Sequence, residues 1–208
     1  MSTNATHSLY GQGHRDATRT RECVAMPGMR EQTVLTPGPV MDALRAAWGP
    51  VGCDPCAAPA GPFDMECPDC KGKREKKGKA CSWCSGTGAV RVEDQVKART
   101  AYRLTDGVDG LAQPLLDWSF INAPWGNLQP WLDVTKPQDR AAWLLPMRCH
   151  RGWLMDWYDA VDHVVAMPPM KFEGHRQAMP FPVVIGTVGT GSDNAAVELC
   201  LIGGRILK

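Results

Sequence analysis

Six of the nine cysteines fall into three Cys-x-x-Cys pairs, and two of these, Cys67-Pro-Asp-Cys70 and Cys81-Ser-Trp-Cys84, stand ten residues apart. Thiolates three positions apart can grip one ion, because the turn between them brings both sulfurs to the same side. Two such turns complete a tetrahedral shell of four sulfurs, the closed geometry of structural Zn²⁺, with no position left for water. Gly72 follows the first pair, and Gly86 and Gly88 follow the second, where a tight knuckle needs permissive backbone. The competing readings are unligated surface thiols and a redox pair; two linked pairs favour metal over thiol exchange. The odd cysteine count and polar first residues without a secretion signal argue against a disulfide framework and for a cytoplasmic protein.

The rest of the chain reads as ordinary globular protein. Apolar residues at 44% and charged residues at 22% exclude wholesale disorder. No apolar run is long enough to cross a bilayer, so no membrane partner is expected. The formal net charge is +1, so any affinity for nucleic acid must come from a local patch. We expect residues 1–33 to form a loosely ordered arm and 34–208 to form one domain, with a zinc-binding insertion at 62–91 where aliphatic residues vanish.

Within that domain, Thr36-Pro37 looks like a capping hydroxyl followed by proline at a helix start, and Val40, Leu44, Ala47 and Trp48 recur at helical spacing before Gly49-Pro50. Further helices are expected at 92–102, 128–134 and 152–160. Strands are expected at 51–54, 118–121, 141–145, 161–167, 181–188 and 196–202. Together these predict an α/β domain with a mostly parallel sheet and an antiparallel edge. Cys53 and Cys56 flank Asp54-Pro55 at a strand end, which suits a buried turn better than a further metal knuckle.

Lys71, Lys73, Arg74, Lys76, Lys77 and Lys79 lie between the two cysteine pairs, with Glu75 the acid among them. Such a hairpin could follow a phosphate backbone and release counterions, giving non-specific affinity rather than sequence reading. It would equally suit a solvated loop. The string Cys81-Ser-Trp-Cys84-Ser-Gly86-Thr-Gly88 resembles the cysteine-rich repeat of J-domain chaperone zinc modules, and Cys67 to Lys73 is a weaker copy. That resemblance supports zinc binding, and it raises a lesser reading in which the knuckles hold unfolded chains.

Phe120-Ile121-Asn122-Ala123-Pro124-Trp125 reads as a strand followed by an Asn-x-Pro-aromatic turn. This turn suits chemistry on an exocyclic amine. The Asn122 side-chain oxygen and the Ala123 main-chain carbonyl could accept hydrogens from one amino group while Trp125 stacks on the ring bearing it. Two acceptors draw the amine lone pair out of conjugation and aim it at an electrophilic methyl, so catalysis is positioning and electrostatics.

The blocks Leu35-Thr36-Pro37 with Met41-Asp42-Ala43-Leu44, Asp54-Pro55-Cys56-Ala57, Asp109-Gly110-Leu111-Ala112-Gln113, Phe120 to Trp125 with Trp131, Leu144-Leu145-Pro146-Met147-Arg148 with Trp153, and Phe172 with Phe181-Pro182 follow one another in an order that resembles the phage-type DNA N6-adenine methyltransferase family. The match spans about 33–190, interrupted by the insertion. The resemblance implies the α/β methyltransferase sheet, S-adenosylmethionine as methyl donor and DNA as partner. By position it puts Thr36 and Pro37 at the donor's methionine end, Asp54 and Pro55 on the donor, and Asn122, Ala123, Pro124 and Trp125 around the target amine. It gives Arg148 and Trp153 no role.

Two departures stand out. Ala123 and Trp125 replace the family's usual proline and its usual tyrosine or phenylalanine. The loop at 53–61 also lacks the Gly-x-Gly that lets backbone approach a donor. The expected activity is methyl transfer to adenine N6 in DNA, in the host cytoplasm if the chain is phage-encoded, with cytosine N4 and RNA left open. The alternative is a decayed methyltransferase scaffold that acts as a zinc-stabilised nucleic-acid-binding protein.

Overall fold

The computed structural model describes residues 35–208 except 117, 126, 127, 136–139, 148–151 and 181. The expected arm at 1–33, Arg148, Phe181 and the side chain of Trp153 lie outside the described residues.

In chain order the elements are α1 (Gly38–Trp48), β1 (Cys53–Asp54), β2 (Phe63–Glu66), β3 (Glu75–Lys76), β4 (Lys79–Ala80), β5 (Ala89–Val92), β6 (Thr100–Ala101), β7 (Trp118–Ile121), α2 (Gln129–Thr135), β8 (Arg140–Pro146), α3 (Gly152–Ala160), β9 (His163–Met167), β10 (Val183–Gly189), α4 (Ser192–Leu201) and β11 (Arg205–Ile206). One seven-stranded sheet runs β11-β9-β10-β8-β7-β1-β6. Strands β6, β1, β7 and β8 are mutually parallel, whereas β10 is antiparallel to both β8 and β9, and β11 is antiparallel to β9. The domain is therefore α/β with a mixed sheet whose antiparallel part is larger than an edge.

The core follows from the apolar pattern. Trp118–Ile121 and 141–146 are buried at every residue, as strands covered on both faces must be. Val40, Met41, Ala43 and Leu44 form the buried stripe of α1. On β10, Gly186 has no side chain because the Trp157 ring of α3 occupies that space; a Cβ there would come within 2.1 Å of the ring.

Three expected elements differ in the structure. The segment 196–202 is helical: Ser192, Ala195, Ala196 and Leu199 are buried at helical spacing, and Gly191 opens the helix at φ 82°. The expected helix at 92–102 is instead the end of β5, a turn, and β6. Asp94 accepts the Val96 amide at 3.0 Å, while the Arg45 guanidinium takes the Val96 carbonyl at 2.8 Å and the Gln95 carbonyl as well. Those partners satisfy the backbone outside a helix. Finally, Pro37 rather than Thr36 occupies the N-cap of α1, with no side-chain cap. The Thr36 hydroxyl is used elsewhere.

Candidate functional site

The four cysteines of the insertion converge. Cys67 and Cys81 sulfurs are 3.9 Å apart, Cys70 and Cys84 sulfurs 3.8 Å, and all four lie within 4.8 Å of one another. A tetrahedron with Zn–S bonds of about 2.3 Å has sulfurs ~3.8 Å apart, so the cage fits a zinc-sized ion. Cys53 and Cys56 stay outside it: Cys56 donates its amide to Asp54 Oδ1 at 2.9 Å in a turn.

The cage has internal two-fold character. Each cysteine pairs in space with one 14 positions away. The Cys67 amide donates to the Gly88 carbonyl at 2.9 Å and the Cys81 amide to the Arg74 carbonyl at 2.8 Å, an exchange related by the same offset. Lys73 to Cys70 and Thr87 to Cys84 repeat one turn bond at 3.1 and 3.0 Å. Left-handed backbone recurs at Lys71 and Ser85, Gly72 and Gly86, and Arg74 and Gly88. Strands β2 and β5 pair antiparallel beneath the knuckles, and β3 and β4 form the hairpin between them.

All six basic residues between the cysteine pairs are exposed. Glu75 is not their sole opponent, because Lys76 is hydrogen-bonded to Asp69. That bond holds the Asp69 carboxyl below its ordinary range against a partial burial cost, helped by the Lys76 and Arg176 charges.

The second site lies where the order of the sheet reverses. After β1 the chain returns as β6 on one side and then as β7 on the other. Open α/β sheets bind ligands at such a point, outside the carboxyl ends of the strands. Asp54 ends β1 and Asn122 follows β7; the two strands pair in register Cys53 to Ser119, so both residues emerge at the same edge. The Asn122 side-chain NH₂ donates to the Thr36 hydroxyl at 3.1 Å. The turn after β1 is covered by Gly110, where a Cβ would fall 1.8 Å from the Pro55 carbonyl oxygen. Asp109 shapes this cover by accepting the Leu111 amide at 3.0 Å. Residues 36, 54–55, 109–112 and 122, far apart in the chain, thus form one cluster.

Asp54 is 4% exposed. Burial pushes its carboxyl up to about 8, the nearby Asp94 charge adds to this, and the Cys56 amide and Arg103 oppose it. Burial likewise raises the Cys56 thiol, with the Asp54 charge contributing. Thr36, Pro37, Pro55 and Ala123 are buried, and Pro124 is exposed.

Trp125 departs from expectation. It is 6% exposed, and its ring meets Phe172 edge-on at 5.6 Å and 86°. A large indole fills the space behind the turn and joins the core. It offers no open face on which a base could stack.

The residues 168–179 that link β9 to β10 had no signal in the sequence beyond Phe172. They form a strap that joins both sites. Phe172 packs on Trp125, the Glu173 amide donates to the Leu35 carbonyl at 3.3 Å, and the Gly174 carbonyl accepts Trp83 Nε1 at 3.1 Å. Trp83 in a polar knuckle was the available hint, since an indole seeks both apolar cover and an acceptor for its N–H.

Comparisons with protein-family models, with curated proteins and with solved structures gave no match to this chain.

Proposed function

We propose that the protein is a methyltransferase that moves a methyl group from S-adenosylmethionine to the N6 amine of adenine in DNA, stiffened by zinc on Cys67, Cys70, Cys81 and Cys84. The observation that carries this reading is the placement of Asp54 and Asn122 at neighbouring carboxyl ends where the strand order reverses, with Asn122 tied to Thr36. The donor, when bound, supplies an electrophilic sulfonium methyl. Asp54 would accept from the donor's polar groups once it ionises, and Thr36 would border it. Asn122 Oδ1 and the Ala123 carbonyl would take the two amine hydrogens. With the donor bound, these two acceptors would orient the amine nitrogen toward the methyl group and leave its displaced proton to water. The target base would be flipped from the duplex at a cost of a few kcal/mol. Trp125 then serves as the wall that fixes the turn, and base stacking falls to another group.

Labelled-methyl transfer to unmethylated DNA, followed by nucleoside mass spectrometry, tests the reading. Label in N6-methyladenine is the expected outcome; label in cytosine or RNA redirects it, and no label together with no donor binding by calorimetry overturns it.

Trp125 burial favours one second reading, a decayed scaffold that binds nucleic acid without chemistry. It predicts DNA affinity with no donor binding at millimolar concentration.

A further inference from the structure

The strap, residues 168–179, is fastened to the zinc insertion over a sequence separation of more than ninety residues. Trp83 Nε1 donates to the Gly174 carbonyl at 3.1 Å, and the Lys171 ammonium lies 5.4 Å from the centre of the same indole. Arg176 Nη1 donates to the Ser82 hydroxyl at 3.4 Å. Gly174 sits at φ 76° so close to the β2–β5 pair that a Cβ would come within 2.4 Å of Met65 and 2.7 Å of Val92. Lys171 and Arg176 are exposed, as are the six basic residues between the cysteine pairs.

We infer that Lys171 and Arg176 extend the cationic face of the zinc hairpin into one composite surface that holds the phosphate backbone of duplex DNA. The inference rests on the DNA-binding part of the proposed function and deepens it. The two residues bring the basic side chains of this surface to eight, against Glu66, Asp69, Glu75 and Glu173, on a chain whose formal net charge is only +1. Such a local surplus draws a polyanion where the whole molecule does not. Its position also fits. The strap that presents Lys171 packs Phe172 on Trp125, so a backbone lying across it runs beside the Asn122 turn. The cations are held by side-chain anchors to the insertion rather than left on a free loop, which reduces the entropy lost on binding.

The test uses the zinc-loaded full chain and a short unmethylated duplex, with affinity measured against salt. Each lost phosphate contact lowers the log–log slope by about 0.9. Lys171→Gln with Arg176→Gln is expected to reduce the slope by about two, equally on two unrelated sequences and with zinc content unchanged, while Lys171→Arg keeps it. A parallel Lys73→Gln, Lys77→Gln variant reports on the hairpin. If the hairpin pair lowers the slope and the strap pair does not, the composite surface is wrong and the hairpin reading stands. If neither pair lowers it, both fall. A slope change seen only with RNA overturns the duplex assignment.

Discussion

The four-cysteine cage and the sheet-edge site are built by opposite strategies. Every ligand of the cage comes from one stretch, 67–84, and its two halves repeat the same turns at an offset of 14. The sheet-edge site gathers Thr36, Asp54, Gly110, Asn122 and the strap's Phe172 from across the domain, brought together by the pairing of β1 with β7, the Asn122–Thr36 bond, the close approach of Gly110 to Pro55 and the packing of Phe172 on Trp125. A site confined to one segment is held by local geometry and its ion. One assembled from many segments is as stable as the sheet that carries it.

Metal removal is the largest test of that contrast. Structural zinc sites contribute on the order of 10–16 kcal/mol to folding of the unit they close. With Cys81→Ala, or with a chelator, amides of 67–88 should lose protection from hydrogen exchange while β7, β8 and β10 keep theirs. Loss of protection throughout the sheet would show that the two regions fold as one unit, joined through Trp83 and Gly174.

The sheet-edge counterpart is Asn122→Ala. Loss of one acceptor aimed at the reacting group costs about 100-fold or more in rate. Loss of the half-buried bond to Thr36 costs about 1 kcal/mol in stability. Methyl transfer should therefore fall about 100-fold or more, out of proportion to a small drop in melting temperature. A large fall in stability would make Asn122 a structural strut instead.

The same contrast explains what the sequence made legible. Cysteine spacing announces a cage because ligand geometry is written in three-residue steps, and the largely apolar runs at 118–121 and 141–145 read as covered strands. Within the helix Ser192–Leu201, the stretch from Ala196 onward reads as a strand in the sequence because the buried stripe is made of small residues, Ala195 and Ala196, beside one leucine. The segment 92–102 misled because its carbonyls are satisfied by Arg45, fifty residues away. The burial of Trp125 is hidden from the sequence for the same reason: whether an aromatic faces solvent depends on its partner, and Phe172 lies on the distant strap.

A subtler handle on the sheet edge is pH. Asp54 titrates at about 8 in the folded chain against an ordinary 3.8. The folded state therefore binds the proton more tightly than the unfolded state. Its contribution to stability is full below about pH 4 and is lost as pH rises through about 8. If ionised Asp54 holds the donor, donor affinity should rise by up to about tenfold per pH unit below 8 and then level off. Asp54→Asn should flatten both profiles. A donor titration that stays pH-dependent in that variant assigns the ionisation elsewhere, with Asp94 the nearest candidate.

The smallest effect tests the symmetry within the cage. Arg74 and Gly88 are equivalent positions, both left-handed at φ 65° and 86°, and their carbonyls make the reciprocal bonds to Cys81 and Cys67. An L-residue in that conformation costs about 1–2 kcal/mol, whereas glycine adopts it freely. Against this, glycine gives the unfolded chain more freedom, worth about 0.4–1 kcal/mol. Arg74→Gly should thus stabilise the zinc-loaded module slightly, by about 0.5 kcal/mol. The reverse change is not symmetrical, since a Cβ on Gly88 would meet the Gly72 carbonyl oxygen at 2.8 Å and the Arg74 side chain at 3.1 Å. Gly88→Ala should destabilise, and Arg74→Gly should recover only the part due to the Arg74 side chain, because the Gly72 oxygen is backbone and stays in place. Zinc competition with a chromophoric chelator would order the three variants. Equal losses from changes at 74 and 88 would mean that the two positions are equivalent in packing as well as in hydrogen bonds, and would overturn the expected asymmetry.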